Sequence, residues 1–277
     1  MASLLRVLDP ILLASLAGTT LVLLADFLRG PGGRLAIARN LLGGTLLCAA
    51  LRLGLFVAVY GRPPLATPGE AFSTIAFSIT LVTFLLEVID RERSTAFLML
   101  AAATMFQGVS LLGEPVGSEV NALLHEPWFG MHAVTAILGY TAFAIGAVYG
   151  VVFLLLYADL KRRRFGVVYE QAPSLEELSR TAIRASTLGF VFLTAAFVVG
   201  VVGWRRVLDH PVHEDPKVVS TFLVWLVYGT GISLYWFAGW RGLRCVSITL
   251  AGFLLMILSS WLVPLALGSM HGVRGLL

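Results

Sequence analysis

Charged side chains are scarce in this sequence, and their scarcity excludes ordinary soluble folds. Asp, Glu, Lys and Arg make up 13% of the 277 residues, whereas 58% of the residues are hydrophobic and the mean hydropathy is +0.87. A soluble domain carries about 25% charged residues. No polar stretch is long enough to fold as a separate soluble domain. We therefore expect a single integral membrane domain over residues 1–277, all-α and multi-pass.

Cysteines and catalytic motifs are also few. Cys48 and Cys245 are the two cysteines, far apart and in or beside apolar runs, so the chain has no C-x-x-C pair and no heme-attachment motif of its own. No G-x-S-x-G, H-E-x-x-H or phosphate-binding glycine loop occurs. These absences favour an assembly factor or chaperone over an enzyme with its own catalytic residues.

Apolar runs of membrane-spanning length dominate the chain. A span needs roughly 20 apolar residues, and by that measure we predict about eight transmembrane helices. The first run has no Ala-x-Ala cleavage site after it and is interpreted as a retained helix. Before the sixth span, Ser174 and Glu177 form a capping-box pattern that predicts a short interfacial helix continuing into that span. The predicted spans are residues 11–28, 40–60, 70–89, 95–112, 131–157, 185–204, 218–240 and 245–267.

The basic residues indicate topology and give no sign of a nucleic-acid partner. The net charge is +4, but Lys and Arg lie mostly in short loops between the apolar runs. The block at residues 161–164 is the densest, and the positive-inside rule places it in the cytoplasm. Both termini then face the outer, periplasmic side of a bacterial-type inner (cytoplasmic) membrane. On this topology all five histidines lie on the outer side or at its boundary.

His132 and His271 are the strongest candidate ligands from position alone. His132 begins the fifth span and His271 follows the eighth, so a helix bundle can bring them to one outer surface. Neutral imidazole ligates heme iron and zinc. Both histidines could equally satisfy backbone groups or lie at the headgroup level. Residues that could complete a heme pocket are Trp128, Phe129 and Trp204 as walls and Arg205 and Arg206 as partners of the propionates.

Other polar residues leave further alternatives open. His210 and His213, with Glu214 or Asp215, form a weak alternative metal site for zinc, and His125 is interpreted as a solvated loop residue. Arg52, inside the second span, either reaches outward or faces a polar interior, with Glu70 as its candidate partner. Small residues in apolar helices let helices approach closely. Glycines interpreted in this way are Gly43, Gly44, Gly139, Gly146 and Gly150.

Several segments, taken in order, resemble the CcsA/HemX-like cytochrome c assembly proteins between about Tyr60 and Gly272. Residues 64–70 (Pro-Leu-Ala-Thr-Pro-Gly-Glu) resemble the family's Pro-Leu-Ser-Asn-x-x-Glu stretch, and His132 with Tyr140 resembles its His-to-Tyr helix start. The remaining similar segments are residues 173–178, Gly189-Phe190, Leu193-Thr194, Asp215-Pro-Lys217, Trp225, Gly239-Trp-Arg-Gly242 and Met270-His-Gly272.

The resemblance implies that His132 and His271 are external axial ligands of heme b, held as cofactor or as cargo. Two features depart from the family pattern. The tryptophan-rich WWD segment is replaced by residues 208–215, which contain no tryptophan. Where many members have a membrane-embedded histidine, Ser233 is the nearest polar residue. These departures favour the HemX-like side of the family.

Three hypotheses follow from the sequence. The first is a heme-handling protein of cytochrome c biogenesis that presents heme at the outer face, with other membrane subunits or assembly proteins as partners. The second is a b-heme electron-transfer or membrane-anchor subunit of a larger respiratory or photosynthetic complex. The third is a heme-free scaffold that has lost the cofactor. In all three hypotheses the chain lies in a lipid bilayer.

Overall fold

The computed structural model describes residues 2–29, 35–65, 67–89, 95–112, 127–163, 165–207 and 216–267. Regular structure in these residues is entirely α-helical, which confirms the predicted class. The helices within the described ranges, numbered in chain order, are α1 (Ala2–Arg29), α2 (Leu35–Tyr60), α3 (Pro68–Ile89), α4 (Ala96–Ser110), α5 (Pro127–Lys161), α6 (Val167–Gln171), α7 (Leu175–Val207), α8 (Pro216–Phe237) and α9 (Leu243–Leu267).

Seven of the described helices are long and apolar enough to cross a membrane, so the chain is a multi-pass membrane protein. They are α1, α2, α3, α5, α7, α8 and α9. The predicted fourth span is represented by α4, which is apolar but has 15 residues. At 1.5 Å per residue α4 extends for about 22 Å, less than the ~30 Å hydrocarbon thickness of a bilayer.

Local signals explain where several helices begin. Thr67 accepts a hydrogen bond from the backbone N–H of Glu70 (3.2 Å) just before α3, as an N-cap residue does. Pro68 and Pro127 are the first residues of α3 and α5, a position where the missing N–H of proline costs nothing. α7 begins at Leu175, directly after Ser174 as the capping pattern predicts, and continues unbroken to Val207.

The chain divides into two compact units, here called unit 1 and unit 2. Unit 1 comprises Met1–Glu119 and Val152–Leu175, and unit 2 comprises Val120–Val151 and Glu176–Leu277. In unit 1, hydroxyl groups join neighbouring helices: Thr45 on α2 is 2.8 Å from both Ser15 and Thr19 on α1. Hydroxyl pairs of this kind are a usual means of joining helices in a membrane, where backbone groups are already satisfied.

Among the described residues of unit 1 lie one partly buried and one fully buried ion pair, and they correct the partner predicted for Arg52. Arg52 is buried in the interior and donates through Nε to Asp9 on α1 (2.9 Å). Glu70 instead accepts two hydrogen bonds from Arg62, at 2.8 and 2.9 Å. Arg62 lies eight residues before Glu70, in the proline-rich connection, so it reaches the first turn of α3 directly.

The core of unit 2 is aromatic. Phe143 on α5 stacks on Tyr228 of α8 with ring centroids 3.7 Å apart, and the Tyr228 hydroxyl donates to the backbone carbonyl of Thr249 on α9 (3.2 Å). Leu193 and Met256 complete this buried cluster with Val224. Ser233, the residue nearest to the family's embedded histidine, is exposed on α8 and lies outside this core.

Candidate functional site

Helices α5 and α7 pack antiparallel in unit 2, and glycines set their separation. A Cβ at Gly139 would lie 3.2 Å from the carbonyl oxygen of Gly189, and a Cβ at Gly146 would lie 2.9 Å from Oγ of Ser186. A Cβ at Gly146 would force its neighbour to shift, and one at Gly139 would lie closer than an ordinary van der Waals contact. The predicted close approach is therefore confirmed for these two glycines, whereas Gly44 has no neighbour within 4 Å of its Cβ position.

His132 lies at the end of this glycine-lined contact. Its Nδ1 is 2.9 Å from the backbone carbonyl oxygen of Ala196 on α7. A Cβ at Gly200, one turn further along α7, would lie 2.8 Å from the same Nδ1 and 3.0 Å from Cε1. The imidazole therefore occupies the space that a side chain at position 200 would fill.

The contact with Ala196 fixes which nitrogen of His132 carries the proton. A carbonyl oxygen only accepts hydrogen bonds, so Nδ1 is the donor and carries the hydrogen. In the neutral imidazole the lone pair is then on Nε2, the nitrogen on the other side of the ring. Histidine ligands of metals usually have this arrangement, with the second nitrogen donating to a carbonyl or carboxylate that holds the ring.

Trp128 lies one helical turn before His132 on the same face of α5, since residues four apart are neighbours on a helix surface. Its six-membered ring covers Gly203: a Cβ at that glycine would lie 2.0 Å from Cε3 and 2.6 Å from Cζ3. The indole Nε1 is buried and has no hydrogen-bond partner among the described residues. Phe129 lies beside both residues, with its ring centroid 6.0 Å from that of Trp128 and 6.5 Å from that of His132.

The sequence placed the beginning of this helix too late. The prediction had residues 113–130 as a loop and His132 at the first turn of the span, but α5 already begins at Pro127. Proline at the first helical position was the missed signal. The earlier start puts Trp128, Phe129 and His132 on one continuous helix.

The other predicted site residues are described in part or not at all. The backbone of Trp204, Arg205 and Arg206 belongs to the last turn of α7, where the prediction had Arg205 and Arg206 in a loop, and their side chains lie outside the described part of the structure. Outside the described residues altogether are His271, His125, the weak alternative metal pair His210 and His213, and the segment 208–215 that replaces the WWD motif.

Within the described ranges, His, Cys, Asp and Glu side chains form no group of three or more that could hold a metal ion. A metal at His132 would therefore need further ligands from a cofactor such as a porphyrin or from another part of the chain.

Ala196, Gly200 and Gly203 are the participants that sequence reasoning missed. Ala196 acts through its backbone carbonyl, which no side-chain pattern reveals. Gly200 and Gly203 are three residues apart in an apolar helix, and this spacing is the signal that could have identified them, because it places two small residues on one face.

Comparison with known proteins gives one family and a consistent set of relatives. The model of the family described as Cytochrome C assembly protein matches residues 67–271. The chain is similar to the cytochrome c biogenesis protein CcsA of Prochlorococcus marinus, with 24% identity over 289 residues, covering 91% of this chain and 89% of that protein. The CcsA protein of Chlorella vulgaris is 24% identical over 248 residues, covering 77% and 78%.

A shorter similarity is to Protein HemX of Brevibacillus brevis, which is 29% identical over 126 residues. This match covers 46% of the chain and 44% of that relative, so the chain matches less than half of the HemX protein's length. The region matched by the family model begins just before α3 and includes both His132 and His271.

Proposed function

Since this chain belongs to the family of cytochrome c assembly proteins, we propose that it handles heme during cytochrome c biogenesis. It holds heme at the outer membrane face, with His132 and His271 as the two axial ligands. Heme b is the form proposed, bound without a covalent link, because the chain has no attachment motif. Heme supplies an iron with two open axial positions, and histidine imidazole is a standard ligand for them.

The hydrogen bond from His132 Nδ1 to the Ala196 carbonyl is the observation that carries the proposal. A histidine that only fills space in a helix contact needs no particular tautomer. Here the Ala196 carbonyl on α7 accepts a hydrogen bond from Nδ1–H, so the proton stays on Nδ1 and Nε2 is the basic nitrogen, which is the atom that iron requires. Ring orientation and protonation are thereby set before heme arrives.

The order of the helices supports the proposal that both ligands lie on the same side of the membrane. His132 is in the first turns of α5 and His271 follows α9 in the sequence. The membrane-spanning candidates from His132 to His271 are α5, α7, α8 and α9. Four is an even number, so a chain that crosses with each of them returns to the side from which it started. This holds whether or not the short helix α4 crosses.

The charge distribution supports the outer face as that side. Arg and Lys are concentrated in the connections that the predicted topology places in the cytoplasm, most densely at residues 161–164 after α5. The proposed topology has eight crossings, α4 included, with both termini outside. Reporter fusions at residues 30–34 and 162–164 should read cytoplasmic, and a fusion at the C-terminus should read periplasmic.

An optical spectrum tests the ligand assignment. The full-length protein, purified in detergent and supplied with heme, is expected to give the Soret band of a six-coordinate bis-histidine heme. His132→Ala and His271→Ala should each lose that spectrum, and His125→Ala is the matched control that should keep it. Added imidazole should restore the band in His132→Gly, because the free ligand replaces the missing ring.

Two outcomes would contradict the proposal, each at a different point. Wild-type protein with no Soret band after heme is supplied would leave only a heme-free scaffold. A band that survives both substitutions unchanged would mean that heme binds elsewhere. Retention of heme through purification, with a stable midpoint potential, would indicate an electron-transfer subunit instead of a carrier that releases its heme.

A further inference from the structure

The buried indole nitrogen of Trp128 is the feature that the proposed ligand pair does not use. Its hydrogen has no acceptor among the described residues. An unsatisfied buried donor is destabilising, so such groups are uncommon and usually have a partner in the functional state. Indole N–H is a donor only, so the partner must be an acceptor.

Packing determines which edge of the indole is available. The atoms nearest the Cβ position of Gly203 are Cε3, Cδ2 and Cζ3, at 2.0 to 2.6 Å, all on the six-membered ring. Nε1 belongs to the five-membered ring, on the opposite side of the indole from Cε3. The glycine therefore receives the hydrocarbon edge, and Nε1 is not among the atoms nearest to it.

Another tryptophan of unit 2 gives the contrast. The indole N–H of Trp225 on α8 donates to Oγ1 of Thr194 on α7 at 2.9 Å. The packing of unit 2 thus satisfies one indole internally and leaves the one beside His132 without a described acceptor. The unsatisfied donor and the candidate ligand are four residues apart on one helix, which places them on the same face.

We propose that the Trp128 N–H donates a hydrogen bond to a propionate carboxylate of the heme held by His132. This inference rests on the function proposed above. The carboxylates are the strong acceptors at the edge of a heme, the remaining periphery being hydrocarbon. A hydrogen bond to a charged acceptor is roughly twice as strong as one between neutral groups. Trp128 is then a binding residue that reads the acidic edge of the macrocycle, in addition to being a wall of the pocket.

The test compares heme with its dimethyl ester, which keeps the iron and the ring but masks both carboxylates. The Soret band of full-length protein in detergent is titrated with each compound for wild type, Trp128→Phe and the matched control Trp225→Phe. Wild type should bind heme more tightly than the ester. Trp128→Phe should lose about tenfold of this preference, the value expected for a hydrogen bond to a charged group, with affinity for the ester nearly unchanged. Trp225→Phe should keep the wild-type preference.

Each remaining outcome contradicts a specific statement. Equal loss of affinity for both compounds in Trp128→Phe would make Trp128 a packing residue and overturn the inference. The inference is also overturned if Trp128→Phe keeps the wild-type preference for heme over its ester, because an internal group or a water molecule then accepts the hydrogen bond from the indole N–H. Failure of wild type to bind either compound would instead overturn the proposed function.

Discussion

Replacing Gly200 with alanine tests how the protein prepares His132 as a ligand. The added Cβ would lie 2.8 Å from Nδ1, whereas ordinary contacts begin at 3.4 Å, so the ring must retreat by about 0.6 Å. Ala196 and Gly200 are one turn apart on the same face of α7. Retreat from position 200 therefore also lengthens the 2.9 Å hydrogen bond to the Ala196 carbonyl and brings it to the limit at which a hydrogen bond is lost.

The expected result is weaker heme binding with the ligand still present. Loss of the group that orients a metal-binding histidine typically costs about 10–100-fold in affinity, and we expect the Soret titration of Gly200→Ala to fall in that range. The midpoint potential of bound heme should rise, because an imidazole without its Nδ1–H···O bond is less basic and stabilises ferric iron less.

Gly44→Ala is the matched control, since nothing lies within 4 Å of a Cβ at that position of α2. Alanine in a helix interior is about 0.5–1 kcal/mol more favourable than glycine, so the control should be at least as stable as wild type and bind heme equally. If Gly200→Ala binds heme within about twofold of wild type with an unchanged potential, the reasoning about the Ala196 contact is refuted.

Three further predictions concern stability and stoichiometry. Glu70→Ala should lower the free energy of unfolding, measured by denaturant titration, by about 3–5 kcal/mol, because it leaves the Arg62 charge buried and unpaired. Replacing both Arg62 and Glu70 by methionine should recover most of the lost stability. A loss below about 1 kcal/mol in Glu70→Ala would contradict the prediction. Thr45→Val removes two interhelical hydroxyl contacts and should cost about 1 kcal/mol at roughly 0.6 per bond; an unchanged melting temperature would count against it. Heme extracted from saturated protein should equal one per chain, because a hydrophobic cluster around the stacked Phe143 and Tyr228 rings lies in the described core of unit 2. A ratio of two would disprove this.

The sequence predicted the helices well because apolar runs report burial in lipid, which depends on composition alone. The sequence did not predict how each helix is rotated about its own axis. Arg52 was paired with Glu70 by proximity to the same membrane boundary, but side-chain partners depend on which face of each helix meets which neighbour. Arg52 pairs with Asp9, which only the packing of α1 against α2 reveals, whereas Glu70 pairs with Arg62 of the connection just before α3.

The candidate site was predicted in the same uneven way. His132 was found because an ionisable residue at a membrane boundary is costly and so conspicuous. The carbonyl that orients it could not be found, because every residue of α7 carries one and only the register between α5 and α7 selects Ala196. The proximity of Trp128 to His132 was obscured by placing the helix start four residues late.

The length of α7 connects the candidate site with the other end of the molecule's second unit. Its 33 residues extend for about 50 Å, against a hydrocarbon thickness of about 30 Å. The polar first turns, in which Arg180 pairs with Glu176, and the carbonyl that holds His132 are therefore parts of one continuous rod. A tilt of α7 at those first turns would also move the Ala196 carbonyl, and with it the hydrogen bond that orients the His132 ring.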